Sequence, residues 1–163
     1  MKRVLIVWHS RTGAARAMAE AAAQGARREA QAEVRMLAAN EAQAADLLAA
    51  DGYLFACPEN LAAMSGAMKE FFDRSYYPVL EKLNGRPYAA LIAAGSDGSG
   101  AARQMARICT GWRLKPMAEP LIVGTDAQTP EAIAAPKRLS ADALQACADL
   151  GEGLAVGLAL GVF

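Results

Sequence analysis

The stretch Val4-Leu5-Ile6-Val7-Trp8-His9-Ser10-Arg11-Thr12-Gly13-Ala14-Ala15 decides the fold class. Residues 4–8 are a continuous apolar run, the pattern of a strand covered on both faces, which belongs to parallel sheets. Residues 13–29 are alanine-rich with strong helix propensity throughout. A short hydroxyl-bearing turn joins the two. A buried strand that turns straight into a helix is the opening of a strand–helix–strand unit.

The remainder of the chain repeats that alternation without internal sequence repeats. Residues 33–37 read as a second strand, and residues 42–49 as a short helix. Asp51-Gly52 turns the chain into a third strand, residues 53–57, which Pro58 is expected to stop. A long helix starts near Ser65, with Met68, Phe71 and Phe72 recurring at spacings of three and four. Asn84-Gly85 is a turn before a fourth strand, residues 86–94, and residues 99–112 read as the next helix. The fifth strand is residues 121–123, reached through an extended stretch from Leu114 that Pro116 and Pro120 break. A polar loop covers residues 125–138. Ser140 and Asp142 then start a last helix running toward Gly157. Strict alternation predicts a parallel sheet with helices on both faces, joined by right-handed crossovers. In such sheets ligands sit beyond the carboxyl ends of the strands, at the topological switch point. The loops after strands one, three and four are therefore the places to look for chemistry.

The 163 residues are expected to form one domain, 1–163, large enough to bury its own core. Apolar residues make up 54% and charged residues 21%, as in a soluble globular protein. Lys+Arg and Asp+Glu balance at 17 each, so no global field steers the chain onto nucleic acid or an anionic membrane. The same balance counts against a carrier that docks by long-range attraction. The amino-terminal apolar run is too short for a secretory h-region. Residues 154–163 are apolar over about half a bilayer span. No membrane insertion and a cytoplasmic location are the resulting expectations. Cys57, Cys109 and Cys147 are odd in number and far apart, which argues against a disulfide framework or a zinc site.

The first loop, His9 to Ala15, offers unpaired backbone N–H groups, the hydroxyls of Ser10 and Thr12, and a helix N-terminus. That combination suits a phosphate; the competing reading is that Ser10 or Thr12 only caps the helix. Gly13 permits close backbone approach to an anion. The loop lacks the lysine of a P-loop and the three glycines of a dinucleotide fingerprint. Pro58, followed by Met64-Ser65-Gly66-Ala67-Met68-Lys69-Glu70-Phe71-Phe72-Asp73-Arg74, resembles the second cofactor loop and helix of the flavodoxin-like NAD(P)H-dependent FMN oxidoreductases. The first loop is similar to the flavodoxin phosphate loop, and Gly95-Ser96-Asp97-Gly98-Ser99-Gly100 completes the likeness.

The resemblance implies an α/β, flavodoxin-like, doubly wound five-stranded parallel sheet of order 2-1-3-4-5. It implies FMN as cofactor, with NAD(P)H as co-substrate. Ser10, Arg11, Thr12, Gly13, Ala14 and Ala15 would hold the phosphate, with His9 beside them. Pro58, Glu59, Asn60, Leu61, Ala62, Ala63 and Met64 would run along the isoalloxazine, and Gly95, Ser96, Asp97 and Gly98 would close its other edge. Ala14 and Ala15 stand where the family usually has polar side chains, and each lost bond to a phosphate costs roughly 1.5–3 kcal/mol. Glu59 places a negative charge where a reduced flavin would also be anionic, which is expected to lower the potential or weaken binding. No catalytic residue and no metal ligand is assigned.

Three functions compete at this level. One is an oxidoreductase passing electrons from NAD(P)H to a quinone or similar small-molecule electron acceptor. Another is a flavodoxin-type electron carrier, and the third a retained fold with weak or lost flavin binding. Oxidoreductases of this kind often dimerise, so a homodimer through Tyr76-Tyr77-Pro78 and the apolar C-terminus is a further expectation. A phosphoacceptor regulator is excluded, because Trp8-His9 and Cys57 stand where its acidic residues would be.

Overall fold

The computed structural model describes residues 1–163. In chain order the elements are β1 (Lys2–Trp8), α1 (Ala14–Ala26), β2 (Ala32–Ala38), α2 (Ala44–Ala49), β3 (Gly52–Asn60), β4 (Ala63–Met64) and α3 (Gly66–Val79). They continue with β5 (Pro87–Ala94), α4 (Ser99–Gly111), β6 (Lys115–Pro116), β7 (Leu121–Gly124), α5 (Pro130–Ala134) and α6 (Ala141–Leu160). The main sheet is parallel in the order β2-β1-β3-β5-β6, with β7 also paired to β5. This is the doubly wound order that the resemblance implied. Its last strand is split into β6 and β7, because Pro116 and Pro120 interrupt the ladder between them.

Side-chain alternation divides the core between the two faces of the sheet. Tyr53, Phe55 and Cys57 of β3 point to the layer of α2, α3 and α4, whereas Leu54 and Ala56 point to α1 and α6. On the first face Phe55 meets Phe72 edge-on at a centroid distance of 5.0 Å, and Phe72 meets Trp112 at 5.3 Å. Trp112 is fully buried, and its indole N–H donates to the Tyr76 carbonyl at 3.2 Å. Its place is in the core rather than at a substrate opening.

The second face is built from small residues. A Cβ on Gly25 would lie 1.8 Å from the Ala148 carbonyl oxygen, and one on Gly151 would lie 2.0 Å from that of Ala22. The α1 and α6 backbones therefore touch. By length and composition α6 could cross a membrane, and it is longer than the ten-residue apolar tail suggests. Its face carrying Cys147, Gly151, Leu154 and Leu158 is already buried in the chain's own core.

Two segments differ from the sequence reading. Pro58 does not stop β3; the strand continues to Asn60, with Pro58 in register with Ala93 of β5. Pairing of β3 with β1 ends at Ala56, so the missing N–H of Pro58 forfeits no ladder bond on that flank. The extended strand then folds back as a hairpin, Glu59 opposite Met64 and Asn60 opposite Ala63. Its two-residue turn is Leu61-Ala62, with φ of 51° and 64°. Turns with two positive φ values normally take Asn-Gly. Holding non-glycine residues there costs roughly 1–2 kcal/mol each, so other contacts must fix the hairpin. The other segment is the 125–138 loop, which contains α5, capped by the Thr129 hydroxyl accepting from Ala132 N.

Candidate functional site

The carboxyl ends of β1, β3 and β5 open on a cleft of about 270 Å³. Ser10, Arg11, Thr12, Ala14 and Ala15 line it from the first loop, Pro58, Glu59 and Asn60 from β3, and Gly95 from the end of β5. Gly13 stands at the N-terminus of α1 with φ of 101°, the left-handed conformation that suits glycine. The Ser10 hydroxyl accepts from Gly13 N at 3.1 Å, so the Ser10 side chain serves the turn itself. The backbone N–H groups of Ser10, Arg11, Thr12, Ala14 and Ala15 have no acceptor within the chain. They converge at the start of a helix whose first turn has no acidic residue. Ala14 and Ala15 bring N–H groups without hydroxyls, and these N–H groups are among the unpaired donors.

The second loop is tied to both its neighbours. With the Asn60 amide oriented so that its oxygen faces Arg11, that oxygen accepts from Arg11 Nε at 2.9 Å and its nitrogen donates to the Glu59 carbonyl at 3.1 Å. Glu59 reaches the opposite way. Its Oε1 accepts from Gly98 N at 2.8 Å and its Oε2 from Ala101 N at 3.0 Å. The carboxylate therefore caps α4, where the helix dipole favours negative charge. Glu59 also lines the cleft, so its carboxylate both borders the site and is engaged through its two oxygens by a helix terminus. Gln104 Oε1 accepts from Met64 N at 2.8 Å, and a Cβ on Gly100 would lie 2.0 Å from the Ala62 carbonyl oxygen. These contacts hold the strained Leu61-Ala62 turn against α4.

Several residues predicted to lie on the cofactor do not line the cleft. Leu61 is fully exposed at the hairpin tip, and Ala62, Ala63 and Met64 lead back along the outer strand into α3. Asp97 Oδ1 accepts from Ser99 N at 3.2 Å and its Oδ2 from the Ser99 hydroxyl at 2.8 Å. These bonds, the hydroxyl's first, hold the exposed Asp97 carboxyl below its ordinary pKa. Asp97 makes a local turn, with Ser96 and Gly98 on either side of it and outside the cleft lining. Burial pushes the Cys57 thiol up to about 12, which removes it as a nucleophile.

His9 also turns away from the cleft. Its Nδ1 lies 2.8 Å from the buried Ser65 hydroxyl, joining the first loop to the start of α3. Burial, with the Arg11 charge adding to it, lowers the His9 pKa from the ordinary 6.5. An unfolded chain then binds a proton that the folded chain refuses, so stability falls as pH drops through the unfolded value near 6.5 and levels off below the folded one. His9→Gln is expected to flatten that part of the profile, checked by denaturation midpoints between pH 5 and pH 8 in both chains.

The wall that sequence reading missed is the 125–138 loop, which contributes Thr125, Ala127, Ile133, Ala134 and Lys137 to the cleft. Lys137 N donates to the Thr12 carbonyl at 2.8 Å, pinning this loop onto the first. Thr125 N reaches the Ala94 carbonyl at 2.7 Å and Gln128 Nε2 the Gly95 carbonyl at 2.9 Å. A lysine late in a polar, proline-containing loop gives no sequence signal of this placement.

The family model for NADPH-dependent FMN reductases matches residues 28–128, more than half of the chain. The chain belongs to the NADPH-dependent FMN reductase family. As a member of that family it is 36% identical over 100 residues to a flavodoxin of Aquifex aeolicus, over 61% of this chain and 54% of that protein. It is 39% identical over 70 residues to the Arabidopsis thaliana protein named "Probable NAD(P)H dehydrogenase (quinone) FQR1-like 2", over 42% of this chain and 26% of that one. The matches thus span about half and about a quarter of those relatives' lengths. An archaeal flavodoxin structure aligns with a TM-score of 0.75 at 20% identity, covering 96% of this chain and 99% of that one, which shows the shared fold.

Proposed function

We infer that this chain binds FMN in the cleft and is an oxidoreductase that takes hydride from NAD(P)H and passes electrons to a quinone or a similar small acceptor. The observation that carries the reading is the set of unpaired N–H groups of Ser10, Arg11, Thr12, Ala14 and Ala15 at the N-terminus of α1. Buried or half-buried backbone donors without acceptors are rare in proteins, and a phosphate supplies several acceptors at once. These residues would hold the phosphate. Pro58, Glu59, Asn60 and Gly95 border the remaining cleft and would flank the isoalloxazine. When bound, FMN supplies the hydride-accepting chemistry, and the chain supplies position and electrostatics.

The Glu59–α4 contacts and the Arg11–Asn60 contact join all three loops, so the cleft is organised before a ligand arrives. Preorganisation of this kind offsets part of the affinity lost where Ala14 and Ala15 lack hydroxyls. The sequence similarity to a flavodoxin supports an electron carrier as the second reading. Balanced charge and similarity to a protein named as a quinone dehydrogenase support the enzyme.

Mixing the purified protein with FMN is expected to quench flavin fluorescence and to give NAD(P)H oxidation that accelerates when a quinone is added. Quenching without NAD(P)H oxidation would favour the carrier. An absence of quenching at tens of micromolar FMN would remove both flavin readings.

A further inference from the structure

Two cations line the cleft: Arg11, whose Nε is taken up by the Asn60 amide oxygen, and Lys137, which comes from a loop far from the first loop in sequence. Its Nζ lies 3.2 Å from Thr12 Oγ1, 2.9 Å from the Ile133 carbonyl and 2.6 Å from the Ala135 carbonyl. Every one of those acceptors is neutral. Lys137 makes no ion pair with a carboxylate, whereas Arg3, Arg16, Arg28, Arg35, Lys69 and Arg74 do. The side chain is half-buried and lines the same cleft as Ser10, Thr12, Ala14 and Ala15. Its ammonium is thus fixed by backbone dipoles at the rim of an anion cradle, with its charge left uncompensated.

We propose that Lys137 is the specificity-determining residue for the terminal phosphate of the flavin, making the site select FMN over riboflavin. This rests on the FMN reading above. The physical case is that a dianion entering the cradle meets backbone dipoles, the Arg11 guanidinium already shared with Asn60, and a second full positive charge held close to Thr12 by neutral acceptors only. The alanines at 14 and 15 leave room for no side-chain hydrogen bond, so the charge from the 125–138 loop takes over that part of recognition. The attraction acts on the phosphate alone. A neutral ribityl terminus gains little from a cation, while the isoalloxazine contacts are the same for both ligands.

The test compares FMN and riboflavin affinities by fluorescence quenching in the wild-type chain, Lys137→Met and Lys137→Arg, at low and high ionic strength. Lys137→Met keeps the aliphatic stem, and the Lys137 N–Thr12 O bond is backbone, so the loop remains pinned. FMN affinity is expected to fall about tenfold to a hundredfold, as for removing one full charge near a phosphate, with riboflavin affinity unchanged within about twofold. Lys137→Arg is expected to restore most of the preference, and salt is expected to erode it in the wild type more than in Lys137→Met. Equal losses for both flavins in Lys137→Met, or no loss for either, would overturn the proposal while leaving FMN binding intact. A wild-type chain that binds neither flavin would instead overturn the FMN reading, and this assignment with it.

Discussion

Gly151→Ala is expected to lower the stability of the fold by about 2 kcal/mol or more, whereas Gly153→Ala, on the same helix, is expected to raise it by up to about 1 kcal/mol. Both exchanges replace glycine by alanine inside α6, and both carry the same gain in helix propensity, about 1 kcal/mol. The surroundings decide the sign. A Cβ at position 151 would lie 2.0 Å from the Ala22 carbonyl oxygen and 2.7 Å from its carbonyl carbon. Those are backbone atoms of α1, so no side chain can swing aside, and the helices must separate. Overpacking of that kind costs about 1–3 kcal/mol and more where the obstacle is rigid. Position 153 is exposed, and its Cβ would meet Met117 Cε at 3.6 Å, an ordinary contact. Denaturant unfolding of the two variants checks this. For a chain of this size each kcal/mol moves the thermal midpoint by about 2–4 °C, so opposite shifts are resolvable. Shifts of the same sign would refute the backbone crossing of α1 and α6.

That crossing marks where sequence reading ended. The alternation of apolar runs with helical stretches predicts a parallel sheet covered on both faces, because a strand apolar on both sides must be buried on both; the strand order came from the resemblance carried by the three loops. The three loops are legible for the same reason, since each follows a strand whose carboxyl end must face the crevice. Gly25 and Gly151 carried no such signal, because a glycine in an alanine-rich helix looks the same whether it faces solvent or a neighbouring backbone. Pro58 misled for a local reason: proline ends a strand only where its N–H is needed, and β1 had already stopped pairing. The Leu61-Ala62 turn lacks the Asn-Gly chemistry by which such hairpins are recognised, so β4 was invisible. Lys137 and the rest of the fourth wall depend on a tertiary contact with Thr12, which spacing along the chain cannot reveal. The part of the cleft legible in the sequence was therefore its first loop and the β3 edge. Lys137 and the outer wall became visible only in three dimensions.

Glu59→Ala is the second large effect, expected to cost about 2–3 kcal/mol of stability and to loosen the cleft at the same time. The side chain bridges the β3–β4 hairpin and the start of α4, beside the Gln104–Met64 contact that ties the same two elements one turn further along. Removing it leaves Gly98 N and Ala101 N without their acceptor, and each is a donor to a charged group worth about 1.5–3 kcal/mol when fully buried. Both bonds are only part-buried, so water recovers some of that, which brings the sum down to the stated range. Loss of a carboxylate at the α4 N-terminus contributes up to about 1 kcal/mol within that sum. Glu59→Gln separates charge from geometry, because one amide oxygen can still accept from one of the two N–H groups. The expected order of stability is wild type, then Glu59→Gln, then Glu59→Ala, measured by denaturant unfolding. Amide hydrogen exchange at Gly98 and Ala101 is expected to accelerate in the same order, reporting the local contact rather than the global fold. Unchanged exchange at both amides in Glu59→Ala would refute the bridge. With Gly98 and Ala101 holding its oxygens, Glu59 contributes to a flavin site mainly by fixing the spacing between the second and third loops. Its substitution is therefore expected to weaken FMN and riboflavin binding by the same factor, unlike substitution of Lys137, because it acts through the position of the strand that carries Pro58 and Asn60 into the cleft.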